Sequence, residues 1–412
     1  MRILIVSQYF WPEVFRVNDL AEELVRRGHE ITVLTGVPNY PNGHAFDGYS
    51  VWRGPWSENR RGVRIVRVPL VTRGRNRSWQ LALNYLSFAV LASIIGPIRC
   101  GRRFDAIFAF EVSPVTVGIP AIVMQWISRA PIAFWVQDLW PESLTAAAGI
   151  TSRFVLASTE ALVRWIYRHC DRILVQSEMF TADVIAHGGD PARIAYVPNW
   201  AEDVYHPIAR DAAQLPAGLM LPDGFRIIFA GNIGAAQGFG TILDAVERTR
   251  DLTDVHWVIL GDGRERTWVE EEIARRELRK HVHLLGRYPV DVMPHVFTHA
   301  DVLLVTLKRD PIFAKTIPGK VQSYLACGKP ILAAIDGEGA RIVTVSGSGI
   351  AVPAEDGAAL ADAVRRLYGM SARDRAEMGQ RGRVYYEAHF NRLVIMRRIE
   401  RILTDLTVET PR

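Results

Sequence analysis

The chain has 412 residues, a length typical of about two to four domains that fold without disulfide or metal staples. Apolar residues make up 49% and charged residues 23%, which excludes a disordered, collagen-like or coiled-coil chain. The formal net charge is +5, and the three cysteines show no paired spacing, so a disulfide framework or a Cys-rich zinc site is not expected. This cysteine usage favours a reducing, cytoplasmic setting, and the opening apolar run is too short for a signal peptide.

The predicted elements alternate between strand and helix along the whole chain. Apolar, β-rich runs predict strands at 2–6, 30–35, 64–69, 104–110, 132–136, 172–176 and 194–198. A second series follows at 226–230, 255–261, 281–285, 302–306, 330–334 and 349–352. Helical patterns between the strands predict an α/β protein with two Rossmann-like, doubly wound parallel sheets and a ligand cleft outside the carboxyl ends of their strands.

A break in the pattern divides the two series. Prolines and polar residues without a strong period predict a linker at 201–224. The predicted domains are therefore 1–200 and 225–385, followed by a helical, charged segment at 386–412.

Positive charge is concentrated between Arg53 and Arg77, where there are eight arginines and one acid, Glu58. Such a segment indicates an anionic partner (a membrane surface, nucleic acid or a phosphorylated substrate), and a solvated loop and hairpin is the alternative. The apolar stretch 81–98 follows, with arginines on both sides as far as Arg103. It predicts a helix at 81–103 in the membrane interface, and a buried helix of an α/β domain is the alternative.

Two glycine-bearing turns in the second domain each precede a helix. In the first, residues 229–240, glycine allows close approach to a phosphate, and the helix N-terminus favours negative charge. In the second, Pro318 is expected at the first helical position, with free amides and the ammonium groups of Lys315 and Lys320 forming a diphosphate cradle. The alternative for the first segment is an ordinary turn, and the alternative for the second is a capped helix with surface lysines.

The first domain offers two further candidates. A strand delivers Gln137 and Asp138 to its carboxyl end, where Asp138 could bind a hydroxyl or accept a proton, and Glu142 follows at a helix start. Helix capping alone is the alternative for these acids. The loop 7–19 contributes Arg16 and Asn18 as candidate acceptor contacts.

The aromatic residues Tyr9, Phe10 and Trp11 in that loop either stack on a sugar or lipid or simply pack. The chain contains no G-x-S-x-G elbow, no Walker A loop, no HExxH and no Asp-x-Asp pair. A metal-held nucleotide is therefore not supported, and neither a metal nor a cofactor is expected.

These motifs together resemble the retaining glycosyltransferases of the GT-B fold that use nucleotide sugars, in the family 4-like group. The resemblance spans essentially the whole chain and rests on 26–35, 137–143, 198–199, 231–238 and 317–330. Within the group, the chain is most similar to the N-acetylfucosaminyltransferase-like enzymes of bacterial O-antigen and capsule synthesis. The resemblance implies that the second domain binds the donor, that the first binds the acceptor, and that the final helix crosses back to the first domain.

The resemblance also implies roles for individual residues. The implied donor-binding residues are Gly231, Asn232, Gly234, Gln237, Gly263, Arg287, Thr316, Pro318, Gly319, Val321 and Ser323. The implied acceptor-binding residues are Arg16, Asn18, Gln137 and Glu142, and the catalytic candidates are Asp138, Lys315 and Lys320. The usual Arg and Lys at the diphosphate are replaced by Asn232 and Gln237, and the usual pair of glutamates by Lys315 and Ser323. We therefore expect a donor sugar other than plain glucose or mannose, such as a deoxy-amino sugar.

The resemblance implies front-face transfer assisted by the departing phosphate, with cations and amide dipoles in place of a metal. The expected donor is a UDP-sugar. The expected acceptor is a polyprenyl-diphosphate-linked saccharide on the anionic inner face of the cytoplasmic membrane, where the protein would be peripheral. A nucleotide-sugar 2-epimerase and a non-catalytic nucleotide-binding scaffold on the same fold are the alternatives, and no nucleic-acid partner is expected.

Overall fold

The computed structural model describes residues 1–75, 77–148 and 150–409, with backbone only for 146–148. These residues form two compact units, and each is built around one sheet. The first unit comprises Met1–Val197 together with Met396–Arg412, and the second comprises Pro198–Ile395. The α/β class and the two predicted parallel sheets are confirmed.

The first unit has an eight-stranded sheet in the order β3-β4-β2-β1-β5-β6-β7-β8. Its strands are β1 Arg2–Val6, β2 Glu30–Gly36, β3 Ser57–Arg60, β4 Val63–Val68, β5 Ala106–Glu111, β6 Ile132–Val136, β7 Arg172–Val175 and β8 Ile194–Tyr196. Its helices are α1 Arg16–Arg26, α2 Ser78–Cys100, α3 Gly118–Ser128, α4 Glu142–Ala148, α5 Arg153–His169 and α6 Phe180–Ala186. All strand pairs are parallel except β3 with β4.

The second unit has a six-stranded parallel sheet in the order β11-β10-β9-β12-β13-β14. Its strands are β9 Phe225–Ala230, β10 Val255–Leu260, β11 Val282–Gly286, β12 Val302–Thr306, β13 Ile331–Ala334 and β14 Gly349–Val352. Its helices are α7 Phe239–Arg248, α8 Arg266–Arg275, α9 Met293–Thr298, α10 Pro311–Lys315, α11 Gly319–Ala326, α12 Gly337–Val345, α13 Gly357–Gly369 and α14 Ala372–His389, and the last helix is α15 Arg392–Glu409. Phe229 enters one apolar core and Ile228 the other, because successive side chains of a strand point to opposite faces.

Two local features were not predicted from the sequence. Strand β3 has the sequence Ser-Glu-Asn-Arg, which carries no apolar alternation and therefore gives no strand signal. It forms through an antiparallel hairpin with β4, so pairing and not composition makes it a strand. The final charged segment is two helices, α14 and α15, separated near Phe390.

The boundary between the units lies at Val197 and Pro198, and the segment 201–224 belongs to the second unit. That segment was expected to be a linker, but Ala201 and Leu219 are buried in the second unit's core. The part of α15 from Met396 onwards lies in the first unit, where Glu400 accepts a hydrogen bond from Arg27 at 2.8 Å.

Candidate functional site

In the second unit, a lysine side chain lies against the turn that follows strand β9. Gly231 directly follows β9 and has a φ of 140°, a conformation that favours glycine. A Cβ atom at Gly231 would lie 2.7 Å from Cε and 3.0 Å from Nζ of Lys320, a residue of the first turn of α11. The missing side chain at Gly231 therefore provides the space that the Lys320 ammonium occupies.

The Lys320 ammonium has an apolar setting. Its Nζ lies 3.8 Å from the centre of the Phe229 ring, close enough for a cation–π contact. No carboxylate or hydrogen-bond acceptor pairs with it within the described part of the chain. Burial lowers the pKa of Lys320 to about 7, because the charged form loses water without gaining an anion. A cation in this condition is suited to an anionic ligand such as a diphosphate.

The loops after β9 and β10 contact each other beside this lysine. Asn232 Nδ2 donates to Gln237 Oε1 at 3.5 Å. A Cβ atom at Gly263 would lie 2.2 Å from the Ile233 carbonyl oxygen, so only glycine fits there. The Gln237 carbonyl accepts from the Thr306 hydroxyl at 2.7 Å, at the end of β12. The structure therefore brings Gly231, Asn232, Gln237 and Gly263 together at the carboxyl ends of neighbouring strands, where parallel sheets bind ligands.

The start of α11 differs in detail from the expectation. Pro318 is the N-cap and Gly319 is the first helical residue, so Pro318 does not occupy the first helical position. The Val321 side chain is fully buried, and its N–H donates to the Pro318 carbonyl at 2.9 Å, so this amide is not free for a ligand. The hydroxyl groups of Ser323 and Thr316 donate to nearby backbone carbonyls, each at 3.1 Å.

The remaining predicted donor residues lie around this turn. Gly234 is the N-cap of a short 3-10 helix, Ala235–Gln237. Lys315 is the last residue of α10 and is half-buried. Arg287 is exposed and directly follows β11, and no hydrogen bond or ion pair between it and another described residue is present.

In the first unit, the buried Glu111 carboxylate accepts hydrogen bonds from the backbone amides around Asp138. Glu111, the last residue of β5, accepts from the amides of Gln137 and Asp138 at 3.0 and 3.2 Å and from that of Ser113 at 3.3 Å. The Asp138 side chain is half-buried, and its carboxylate has no hydrogen-bond partner among the described residues. Glu111 therefore fixes the turn that presents Asp138.

Both carboxyl groups are perturbed. Burial, reinforced by the nearby Asp138 charge, holds the pKa of Glu111 well above its ordinary value, although its three amide hydrogen bonds act the other way. Burial also raises the pKa of Asp138. Perturbed carboxyl groups at the carboxyl edge of a parallel sheet are typical of functional sites.

The other predicted acceptor residues are engaged in contacts within the unit. Gln137 is buried, and its carbonyl accepts from Gln176 at 3.0 Å. Glu142, at the start of α4, accepts from His187 Nε2 at 2.9 Å. Asn18 lies in α1 and donates to the Glu13 carbonyl at 2.7 Å.

Arg16 is the first residue of α1 and is half-buried. In the preceding loop, Tyr9 and Phe10 are buried, and the Tyr9 ring stacks on that of Phe15 at 5.3 Å. The packing interpretation therefore holds for Tyr9 and Phe10. Trp11 is half-buried beneath the guanidinium of Arg60.

Three residues of these sites were missed in the sequence. Glu111 ends a buried strand and could have been found by the same reasoning as Asp138. Phe229 belongs to a predicted strand and begins the predicted glycine-bearing turn 229–240, but nothing in its spacing indicates that its ring faces Lys320. His187 lies at the end of α6 and carries no local signal. Among the described residues, no cluster of three or more His, Cys, Asp or Glu residues could hold a metal ion.

Comparisons with known proteins define the class. Residues 14–200 match the family described as "Glycosyl transferase 4-like domain", and residues 224–370 match "Glycosyl transferases group 1". The chain is therefore a glycosyltransferase of the GT-B fold, and it belongs to the family 4-like, group 1 glycosyltransferases.

Two relatives align over most of their length. The Escherichia coli (strain K12) protein named as a colanic acid biosynthesis glycosyl transferase, WcaI, is 26% identical over 340 residues, 80% of this chain and 82% of the relative. The 2-deoxystreptamine N-acetyl-D-glucosaminyltransferase of Streptomyces fradiae is 24% identical over 392 residues, 87% of this chain and 86% of the relative.

Two solved structures share the fold along the whole chain. Sucrose-phosphate synthase from Thermosynechococcus elongatus has a TM-score of 0.70 at 17% identity, covering 99% of each chain. Anabaena HepE in complex with UDP has a TM-score of 0.68 at 16% identity, covering 98% of this chain and 100% of HepE.

Proposed function

We propose that this glycosyltransferase transfers a sugar from a UDP-sugar to a polyprenyl-diphosphate-linked saccharide with retention of anomeric configuration and without a metal ion. The observation that carries the proposal is the Lys320 ammonium, half-buried beside Gly231 at the carboxyl edge of the second sheet. A site that withdraws a cation from water and gives it no anion is suited to the diphosphate of a nucleotide sugar.

The chemistry requires stabilisation of a leaving diphosphate. As the glycosyl–oxygen bond breaks, negative charge grows on the diphosphate, and the Lys320 ammonium lowers the energy of that charge. The backbone amides at the start of α11 add a favourable helix dipole, although the Val321 amide is already used. Lys315 is a second candidate cation from the end of α10.

We assign acceptor orientation to Asp138. Its carboxylate is held in place by Glu111 through the backbone, which leaves the Asp138 oxygens available to accept a hydrogen bond from a sugar hydroxyl. In front-face transfer the departing phosphate takes the acceptor proton, so Asp138 positions the hydroxyl without acting as the base.

The donor and acceptor classes rest on similarity and on the chemistry of the site. HepE was solved with UDP, which supports UDP as the nucleotide. The Streptomyces fradiae relative is named as an N-acetyl-D-glucosaminyltransferase, and WcaI is named as a glycosyl transferase of colanic acid biosynthesis. Together with Asn232 and Gln237 at the donor turn, they favour an N-acetylated deoxyhexosamine, such as N-acetylfucosamine, as the transferred sugar.

Binding and turnover test the proposal separately. UDP titrated calorimetrically should bind the wild-type chain equally with and without EDTA, and at least tenfold more weakly to Lys320→Gln. Lys280→Gln, at an exposed position before β11, is the matched control and should bind as wild type. Equal UDP affinity in Lys320→Gln and wild type would refute the assignment of the site.

Turnover is measured with a panel of UDP-N-acetylhexosamines and membrane extracts containing polyprenyl-linked saccharides. The expected product is a glycolipid whose new bond has the donor's anomeric configuration. UDP binding without any product would indicate a scaffold, and donor epimerised without an acceptor would indicate an epimerase.

A further inference from the structure

Helix α2 presents a continuous apolar stripe to solvent. Six large side chains, each between 45% and 79% exposed, recur at intervals of three or four residues and therefore share one face of the helix. We call this set the apolar stripe: Trp79, Leu83, Leu86, Val90, Ile94 and Ile98. It covers 20 residues, about 30 Å of helix at 1.5 Å per residue.

The opposite face of α2 is bound to the first unit. Asn84 is fully buried, accepts from Gln8 Nε2 at 2.7 Å and donates to the Val71 carbonyl at 2.6 Å. Phe88 and Ala92 enter the unit's apolar core. By length and composition α2 could cross a membrane, and 28% of its apolar window is buried in the unit. Crossing would break the Asn84 hydrogen bonds and expose the core, whereas lying in the membrane plane would leave both intact.

The charged residues in and around α2 are all positive between residues 59 and 104. Residues 59–104 contain ten arginines and no acid. Some of these arginines are structural, since Arg67 is fully buried and paired with Glu58. The others include exposed residues at both ends of α2, with no acidic partner in the described ranges: Arg75, Arg77, Arg102 and Arg103.

We propose that the apolar stripe inserts in the plane of an anionic lipid bilayer and that the arginines at the two ends of α2 bind lipid phosphates. An apolar face bordered by unpaired cations matches the boundary between acyl chains and anionic headgroups. The inference deepens the proposed function, because a lipid-linked acceptor is itself held in the membrane, and it rests on that function only for the identity of the acceptor.

Vesicle binding tests the surface with the full-length chain. Sedimentation with vesicles of phosphatidylcholine containing about one third phosphatidylglycerol should show binding that weakens in high salt. The double variant Leu86→Asp/Ile94→Asp should lose at least tenfold in apparent affinity. Val384→Asp, at an apolar residue of α14 that is 61% exposed, is the matched control and should bind as wild type. Equal binding by the double variant and wild type would overturn the proposal.

The charges are tested in the same assay. Arg102→Glu/Arg103→Glu should weaken binding to the anionic vesicles by at least tenfold, with no such loss on vesicles of pure phosphatidylcholine. Equal losses on both vesicles would refute the headgroup contacts.

Depth measurements distinguish a helix in the plane from one that crosses. Single cysteines replacing Leu83 and Ile94, labelled with a polarity-sensitive dye, lie about 16 Å apart along the helix axis. The three native cysteines are buried. If the helix lies in the membrane plane, lipid-attached quenchers should quench both dyes to the same extent and place both at the same shallow depth. A large difference in depth between the two dyes would overturn the proposal.

Sedimentation velocity of the Leu86→Asp/Ile94→Asp variant tests whether the apolar stripe binds a second copy of this chain instead of a membrane. If the variant dissociates a dimer while vesicle binding is unchanged, the stripe is an interface between copies of this chain and the proposal is wrong. None of these assays needs a donor or turnover, so the membrane surface and the glycosyl transfer can fail independently.

Discussion

The titration of Lys320 makes donor binding depend on pH. The pKa of this ammonium is lowered to about 7 by burial, so Lys320 loses its charge as pH rises through neutrality. A bound diphosphate favours the protonated form, so binding takes up a proton. The diphosphate of a UDP-sugar keeps the same charge over this range, which leaves the enzyme as the source of the dependence.

The magnitude follows from the fraction protonated. For a pKa of about 7, the protonated fraction of Lys320 falls about 25-fold between pH 6.5 and pH 8.5. If only the protonated form binds the diphosphate, the affinity for a UDP-sugar falls by the same factor. Removal of the charge by Lys320→Gln should weaken binding about 10- to 100-fold at pH 6.5, as expected for a hydrogen bond to a charged group.

Calorimetry at a series of pH values measures this directly, and buffers of different ionisation enthalpy report the proton taken up. Lys320→Gln should show an almost flat profile, and Lys320→Arg should also be flat because arginine stays charged. A wild-type affinity that is constant from pH 6.5 to 8.5, or a slope that persists in Lys320→Gln, would refute the reasoning.

Thermal unfolding of Lys320→Gln tests whether the variant is folded. The folded pKa of Lys320 lies below that of the unfolded chain, so the unfolded state binds more protons between about pH 7 and the ordinary lysine pKa. Lys320 therefore destabilises the fold most below pH 7, and this cost declines as pH rises. Lys320→Gln should melt no lower than wild type at neutral pH.

Further predictions concern the two sites. Gly231→Ala places a methyl group 2.7 Å from Lys320 Cε and should weaken UDP binding at least tenfold, whereas Gly369→Ala, with no atom nearby, should leave calorimetric affinity unchanged. Glu111→Ala leaves the Asp138 and Ser113 amides without their acceptor, whereas the Gln137 amide keeps the Glu111 backbone carbonyl at 3.0 Å. It should lower the free energy of unfolding in urea by about 1–3 kcal/mol. A loss below the error of the measurement would exclude that role for Glu111. Asp138→Asn should lower kcat about 10- to 100-fold in the transfer assay, as expected when a hydrogen bond to a charged group is lost, while UDP affinity stays at the wild-type value. Normal turnover in Asp138→Asn would remove Asp138 from the site.

Much of the fold was determined by local patterns in the sequence. Buried parallel strands are continuous apolar runs, so they could be located without tertiary information. The positions of Asp138 and Gly231 followed as well, since the first one or two residues after a parallel strand lie at the carboxyl edge of the sheet. Strand β3 could not be predicted from the sequence, because its four polar residues become a strand only through pairing with β4.

The tertiary structure decided which of these residues act together. Lys320 and Phe229 are 91 positions apart, and only the packing of α11 near the end of β9 places the ammonium on the ring and perturbs it. Glu111 and Asp138 meet because β5 and β6 are neighbours in the sheet. Composition made α2 apolar, but only the contacts of Asn84, Phe88 and Ala92 within the first unit show which face packs and which remains exposed. The local sequence determines whether a segment is a strand or a helix and which residues lie at the carboxyl edge of a sheet. Burial, charge pairing and pKa shifts depend on contacts between segments that are distant in the sequence.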